Sequence, residues 1–256
     1  MSGTPRRGGR LGRALSSVAV GLGCVLFLGG FVLAAFLYQP YTVPTDSMAP
    51  VVSSGDRVLA ERIEGHEVRR GDVVVFSDAE WGDLPMIKRV VGMGGDTVAC
   101  CDDSGRLLVN GDPIDEPYLD EEYEEYAASP TGFTAEVPEG ELFLLGDDRS
   151  DSLDSRSLLA EGNPGTVPVD AVSARVEATV WPFDRIGSLP EASGFAEQPG
   201  GVSGDGPLWP LVWATGAGAV LIIAGAAYPP IARLTSRSRR DGVRSSSVTH
   251  NEGTHG

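Results

Sequence analysis

The sequence predicts a mainly β domain, an antiparallel sheet structure, carried between two membrane-spanning helices. Three observations predict it. Two uncharged apolar runs, residues 14–38 and 208–228, lie near the two ends of the 256-residue chain. Between them, short aliphatic or β-branched segments recur, each bounded by Gly, Asp, Asn or Pro. No long segment with a 3.6-residue apolar period competes with them.

Residues 1–13 form a basic N-terminus with Arg6, Arg7, Arg10 and Arg13 and no acidic residue. The run 14–38 exceeds the roughly 20 apolar residues that a spanning helix needs. The apolar core of a cleaved signal peptide is typically only ~7–15 residues, so an uncleaved anchor is expected. The second run, 208–228, is rich in Gly and Ala and is followed by Pro229, Pro230 and five arginines between Arg233 and Arg244. The tail, 229–256, is Ser- and Arg-rich and is expected to be disordered. Basic flanks tend to stay in the cytoplasm. Both termini are therefore expected inside the cytoplasmic membrane, and residues 39–207 outside it.

Within the exterior part, residues 39–186 read as the folded domain. Strands are expected at 57–62, 73–76, 86–91, 107–109, 142–145 and 171–180. Gly55-Asp56, Gly71-Asp72, Gly95-Asp96, Asn110-Gly111 and Gly146-Asp147 punctuate them as turns. Residues 99–140 look like a smaller inserted region built on a hairpin around Asn110-Gly111. The acidic, tyrosine-spaced stretch 116–126 reads as a solvated face. Residues 187–207 carry Gly, Pro and Ser throughout and are expected to be a flexible tether to the second span.

Residues 39–207 hold 11 basic and 34 acidic side chains. That balance argues against a nucleic-acid partner, whose phosphates demand Lys and Arg, and its ordinary meaning is solubility. Cys24 lies in the first span. Cys100 and Cys101 are adjacent in an oxidising setting, where a bond between neighbours, a bond between chains and two free thiols all remain open. With no Cys/His cluster beside them, no metal site and no cofactor are expected.

One composition feature points to chemistry. The chain has 19 arginines and a single lysine, Lys88, in the apolar run Met86-Ile-Lys-Arg-Val-Val-Gly92. Chance can leave one lysine in an Arg-rich chain. Burial, however, can drive an ammonium to neutrality while a guanidinium stays charged, and a neutral lysine can act as a general base. A histidine base is disfavoured: only His66 is exterior, in a polar turn. A Ser-x-x-Lys arrangement is excluded because Pro85 stands three residues before Lys88. The serine must come from another segment, and Ser47 stands out in Val43-Pro-Thr-Asp-Ser-Met-Ala-Pro50, just outside the first span.

In order along the chain come Thr45-Asp-Ser47-Met48-x-Pro50, Gly55-Asp56-x-Val58, Lys88-Arg89-Val-Val-Gly-x-x-Gly-Asp96 and Gly146-Asp-Asp-Arg-Ser-Asp-Ser-Leu-Asp-Ser-Arg156. This series, after an N-terminal anchor, resembles bacterial type I signal peptidases, the Ser/Lys proteases that remove signal peptides from exported proteins. The resemblance runs through residues 40–183. It implies that Ser47 is the nucleophile and Lys88 the general base, that Ser152 orients the lysine, and that Thr45 and the Ser47 backbone N–H meet the oxyanion. Asp147, Arg149, Asp154 and Arg156 match positions that support the site. The family often has Ser where this chain has Thr45, and commonly Asn where it has Asp148, so no role passes to Asp148.

The resemblance also implies the substrate. An extended signal-peptide end would add to strand edges near the site, with small residues of Ala-x-Ala type in pockets walled by Tyr41, Val43, Pro44, Met86 and Ile87. Expected partners are the signal peptides of secreted preproteins, membrane lipid and the protein export machinery. The rivals are a membrane-anchored binder of signal-peptide ends that does not cut, and a self-cleaving Ser/Lys regulator. The intact Ser47, Lys88 and Ser152 argue against the first, and the lack of a DNA-binding domain against the second.

Overall fold

The computed structural model describes residues 8–82, 84–119, 127–160 and 162–246, with side chains described between residues 12 and 228 except at Ala160. The chain divides into two compact units, residues 36–206 and residues 1–35 with 207–256.

The second of these is a pair of helices, α1 (Gly8–Leu37) and α3 (Leu208–Ser246). Stretches Gly12–Leu37 and Leu208–Tyr228 are long and apolar enough to cross a membrane. Glycines account for the composition of the second run. A Cβ on Gly218 would lie 2.5 Å from the Phe27 backbone nitrogen, and one on Gly23 would lie 2.8 Å from the Gly218 carbonyl. Ser16 Oγ donates to the Gly225 carbonyl at 2.6 Å. Small residues let helix backbones approach closely where lipid supplies no hydrophobic drive. The helical backbone of α3 continues through Pro229 and Pro230 to Ser246, so residues 229–246 depart from the disorder expected of the tail. Extending an existing helix avoids the nucleation cost that an isolated segment meets. Residues 247–256 lie outside the described residues.

Residues 36–206 form two antiparallel sheets. The larger contains β1 (Tyr38–Thr42), β2 (Arg57–Arg62), β3 (Val73–Phe76), β4 (Met86–Met93), β9 (Glu141–Leu145), β10 (Thr166–Pro168), β11 (Val172–Trp181) and β12 (Gly187–Ser188). Its order is β1-β2-β11-β3-β4-β9-β10, with β12 on β11. The smaller contains β5 (Thr97–Cys100), β6 (Leu107–Val109), β7 (Asp112–Pro113) and β8 (Phe133–Glu136) in the order β7-β6-β5-β8. One short helix, α2 (Ser155–Ala160), follows β9. All six expected strands are present. β1, β5, β7, β8, β10 and β12 add to them, each a segment of two to five residues whose pattern is too short to separate from loop.

β3 is buried along its whole length, as a continuous Val-Val-Val-Phe run covered on both faces must be. Val73 and Val75 join a cluster with Val43, Met48, Val58 and Ala174. Val74 and Phe76 join the opposite cluster with Val90, Leu142 and Leu144. A third cluster fuses the two sheets through Val91, Val98, Leu107, Val109, Phe143 and Leu145.

Two loop expectations need correction. Residues 187–206 are not a flexible tether. Phe195 is fully buried in the third cluster beside Ala192, Arg70 donates to the Pro199 carbonyl, and Ser203 Oγ donates to Asp72 at 2.9 Å. A Cβ on Gly206 would fall within 1.8 Å of the Glu177 carboxylate, so that carboxylate lies flat against the end of this strap. Composition marked the segment as open, but one aromatic side chain with a matching cavity outweighs it. The second correction concerns residues 116–126. Tyr118 is buried, and the Glu116 side chain is 7% exposed. Residues 120–126 lie outside the described residues. Cys100 and Cys101 are bonded to each other.

Candidate active site

The nucleophile candidate sits in the turn that joins β1 to β2. The Ala49 N–H donates to the Asp46 carbonyl at 2.7 Å and the Val52 N–H to the Met48 carbonyl at 2.9 Å, which coils residues 46–52 tightly. Asp46 also receives the Ser54 N–H, and the buried Asp56 receives the Ser53 N–H. Arg185, which lies beyond the last motif, pairs with Asp56 at 3.0 Å and donates to the Pro50 carbonyl. Met48 is buried beneath the turn. Ser47 is thus held by its neighbours from below.

Lys88 reaches this turn from β4. Its Nζ lies 2.6 Å from Ser47 Oγ, although 41 residues separate the two. The side chain is only 2% exposed. Burial pulls the ammonium down to about 8, opposed by the nearby carboxylates of Asp154 and Asp147. Thr45 Oγ1 donates to Ser47 Oγ at 3.3 Å, so a second hydroxyl stands beside the first.

The loop after β9 completes the group. Arg89 pairs with Leu145 across the ladder, and continuing this register brings Gly146 level with Lys88. A Cβ on Gly146 would lie 2.1 Å from Ser152 Oγ and 2.4 Å from the Ser47 carbonyl oxygen, so only glycine admits this contact. The Asp148 N–H donates to the Ser47 carbonyl at 3.2 Å. Ser152 Oγ is shut off from solvent and makes no hydrogen bond among the described residues. Its expected bond to Lys88 is therefore not formed here, while its place beside Gly146 keeps it at the site.

The four supporting residues are ion-paired. Asp147 accepts two bonds of 2.7 Å from Arg89, and both are sealed from water. Asp154 accepts from Arg156 at 2.8 and 2.6 Å and from the Gly146 N–H at 3.0 Å. Arg149 donates to the Gly146 carbonyl and to both oxygens of Glu116. Arg89 is held charged: burial would lower it, and Asp147 more than reverses that. Sequence reasoning assigned no role to Arg89, Asp56, Glu116, Tyr118 or Arg185. Arg89 and Asp56 stood inside quoted motifs, and their burial among apolar neighbours was the available signal.

Of the five residues expected to wall the substrate pockets, Tyr41, Val43 and Ile87 meet in one apolar cluster with Met48. Met86 packs instead with the cluster of Phe76 and Val90, and Pro44 is exposed.

The profile of a family described as signal peptidase, peptidase S26, matches residues 15–181. The chain belongs to this family. Curated members resemble it over most of their own length. Signal peptidase I of Bacillus licheniformis is 34% identical over 161 residues, 60% of this chain and 82% of that protein. Signal peptidase I of Leptolyngbya laminosa is 33% identical over 179 residues, 66% and 80% of the two chains. Signal peptidase I of Mycobacterium tuberculosis (strain ATCC 25618 / H37Rv) is 31% identical over 207 residues, 61% and 69% of the two. A crystal structure of a signal peptidase I from Enterococcus faecalis V583 is 29% identical, with a TM-score of 0.35, and covers 42% of this chain and 95% of that one. Membership makes this peptidase a serine endopeptidase of the signal peptidase I type.

Proposed function

We propose that this peptidase cleaves the signal peptides of exported preproteins after a small residue, with Ser47 as nucleophile and Lys88 as general base. The observation that carries the reading is the 2.6 Å approach of a buried lysine to a serine in a braced turn. A neutral Nζ accepts the Ser47 proton as Oγ attacks the scissile carbonyl. The oxyanion that forms is met by the Ser47 N–H and the Thr45 hydroxyl, donors of a kind worth ~2.7–4 kcal/mol each. The protonated Lys88 then returns its proton to the leaving amine. Water, deprotonated by the same Nζ, resolves the ester and frees Ser47.

Tyr41, Val43 and Ile87 would supply apolar walls for an extended substrate and Pro44 its rim, whereas Met86, in the opposite cluster, would not. The two apolar helices and their basic flanks favour a chain with both ends in the cytoplasm and residues 39–207 outside. On this reading the peptidase would meet membrane-held substrates on the outer side of the membrane, with lipid and the export machinery as its partners. The deciding experiment incubates the detergent-solubilised chain with a preprotein ending in Ala-x-Ala and sequences the new N-terminus. Ser47→Ala should abolish the cut. Retained cutting at the same bond would remove Ser47 from the mechanism.

A further inference from the structure

The loop that carries Ser152 is held partly by two residues that belong to none of the motifs. Glu116 and Tyr118 come from the inserted region, in the segment between β7 and β8 of the smaller sheet. The carboxylate of Glu116 takes both terminal nitrogens of Arg149, and their side chains are 7% and 4% exposed. The Tyr118 ring lies under the guanidinium of Arg89, 3.7 Å from its carbon to the ring centroid, and the Tyr118 hydroxyl donates to Glu116. Burial holds that hydroxyl protonated. Burial alone would raise the Glu116 carboxyl, and the Arg149 guanidinium outweighs it and keeps it ionised.

Three arginines and three carboxylates pair one to one beneath the site: Arg89 with Asp147, Arg156 with Asp154, and Arg149 with Glu116. The first two pairs lie within the motifs. The third needs the insertion. Arg149 in turn donates to the Gly146 carbonyl, and Arg156 donates to the Arg149 carbonyl at 2.8 Å. Gly146 is the residue packed against both Ser152 and the Ser47 carbonyl. Removing the carboxylate would leave Arg149 buried and unpaired, directly attached to the backbone that sets this contact.

We propose that Glu116 and Tyr118 are positioning residues for the Ser47–Lys88 reaction, acting through Arg149 and Arg89 on the loop at residues 146–156. The proposal rests on the dyad reading given above. The groups that face or flank Lys88 are Ser47 and Thr45 from the β1–β2 turn, Asp147, Asp154 and Arg156 from the loop after β9, and Arg89 on its own strand. Neither Glu116 nor Arg149 belongs to this set, but losing the Glu116 charge leaves Arg149 uncompensated against the Gly146 carbonyl, level with Lys88, and that unbalanced positive charge disfavours protonated Lys88.

The test is steady-state cleavage of an Ala-x-Ala peptide by the full chain in detergent, across pH. Glu116→Gln should lower kcat on the order of 10- to 100-fold, as small misplacements of reacting groups do, with KM within about twofold. The acid limb of kcat/KM should move to lower pH, whereas simple loosening would admit water and move it up. Glu116→Gln combined with Arg149→Gln should return the limb toward its original position. Unchanged kcat and an unmoved limb, in a variant that melts cooperatively, overturn the proposal. If Glu116→Gln does not fold, the Tyr118 variants decide. Tyr118→Leu should fall below Tyr118→Phe, which keeps the ring, and activity equal to wild type in both overturns the proposal. Ser47→Ala separates the two readings: an active Ser47→Ala removes the dyad, while an inactive one beside fully active Glu116→Gln removes only the positioning role.

Discussion

Lys88 and Arg89 are consecutive on β4, both are essentially sealed from water, and their charges are treated in opposite ways. Alternation along the strand sends them to opposite faces. Arg89 meets Asp147, Gly71 and the Tyr118 ring and is held charged. Lys88 meets a serine hydroxyl and is pushed toward neutrality.

The first consequence is a stability cost at Lys88, the proposed general base. In the unfolded chain Lys88 binds its proton up to about pH 10.5, and in the folded chain only to about 8. The penalty is therefore complete below pH 8 and vanishes above 10.5, and it amounts to about 3 kcal/mol. We expect Lys88→Met to abolish cleavage and to be more stable than wild type at pH 6.5, with the advantage shrinking at pH 9.5. Urea midpoints at the two pH values check this, and a Met variant weaker at pH 6.5 contradicts it. Lys88→Arg should also lose cleavage, since no guanidinium gives up its proton here.

The same ionisation sets the pH–rate profile. In the proposed mechanism only neutral Lys88 accepts the Ser47 proton, so kcat/KM should rise tenfold per pH unit below about 8 and level above it. Near pH 6 roughly a hundredth of the enzyme would be competent. Initial rates from pH 5.5 to 10 test this, and a flat profile below 8 would exclude Lys88 as the base.

At Arg89 the expectation is about folding. Asp147→Ala strands a buried guanidinium and should cost ~3–5 kcal/mol. Replacing both partners, Arg89→Met with Asp147→Leu, should cost clearly less than that. Denaturant unfolding of the three chains gives the comparison. Equal losses would mean the pair acts through packing rather than charge.

Phe195 should behave as a core residue despite its Gly- and Ser-rich surroundings. Phe195→Ala is expected to cost ~3–5 kcal/mol and to open residues 187–206 to a nonspecific protease. Melting curves and the map of early cleavage sites report the two effects. A variant that melts like wild type would show that the strap only rests on the surface.

Glu177 adds a pH signature to the same strap. Burial, the neighbouring Glu61 and the lack of full compensation from Arg175 raise its carboxyl to about 7. The folded state then holds more protons than the unfolded state between pH 4.5 and 7, so this group's contribution to stability falls across that window. Glu177→Gln should flatten the fall. Urea midpoints at pH 5 and 8 for both chains measure it, and identical pH dependence in the two would exclude the effect.

Much of this was legible in the sequence, and the rest was hidden for definable reasons. The six strands announced themselves because each is aliphatic and closed by Gly, Asp, Asn or Pro. Lys88 was conspicuous through scarcity, and Ser47 through its order relative to three other motifs. What the pattern could not reveal was pairing at a distance. Glu116 and Tyr118 sit in an acidic stretch whose composition describes a solvated face, yet two residues of it turn inward to meet arginines 33 and 29 positions away. Phe195 posed the same difficulty, since one aromatic among small residues carries no period to detect. The glycines of the second span weakened its apolar signal for the very reason that they let α3 approach α1.

The strap also fixes an order of events during synthesis. The cluster that joins the two sheets includes Phe195, some 40 residues beyond Arg156, where the last catalytic motif ends. A ribosome that has delivered every motif has not yet delivered the side chain that closes the core. Until the chain has passed residue 195, a dozen residues short of the second apolar run, the cluster between the two sheets lacks one of its fully buried aromatic side chains. A chain that ends before residue 195 therefore carries Ser47 and Lys88 in a domain whose core still lacks the Phe195 ring.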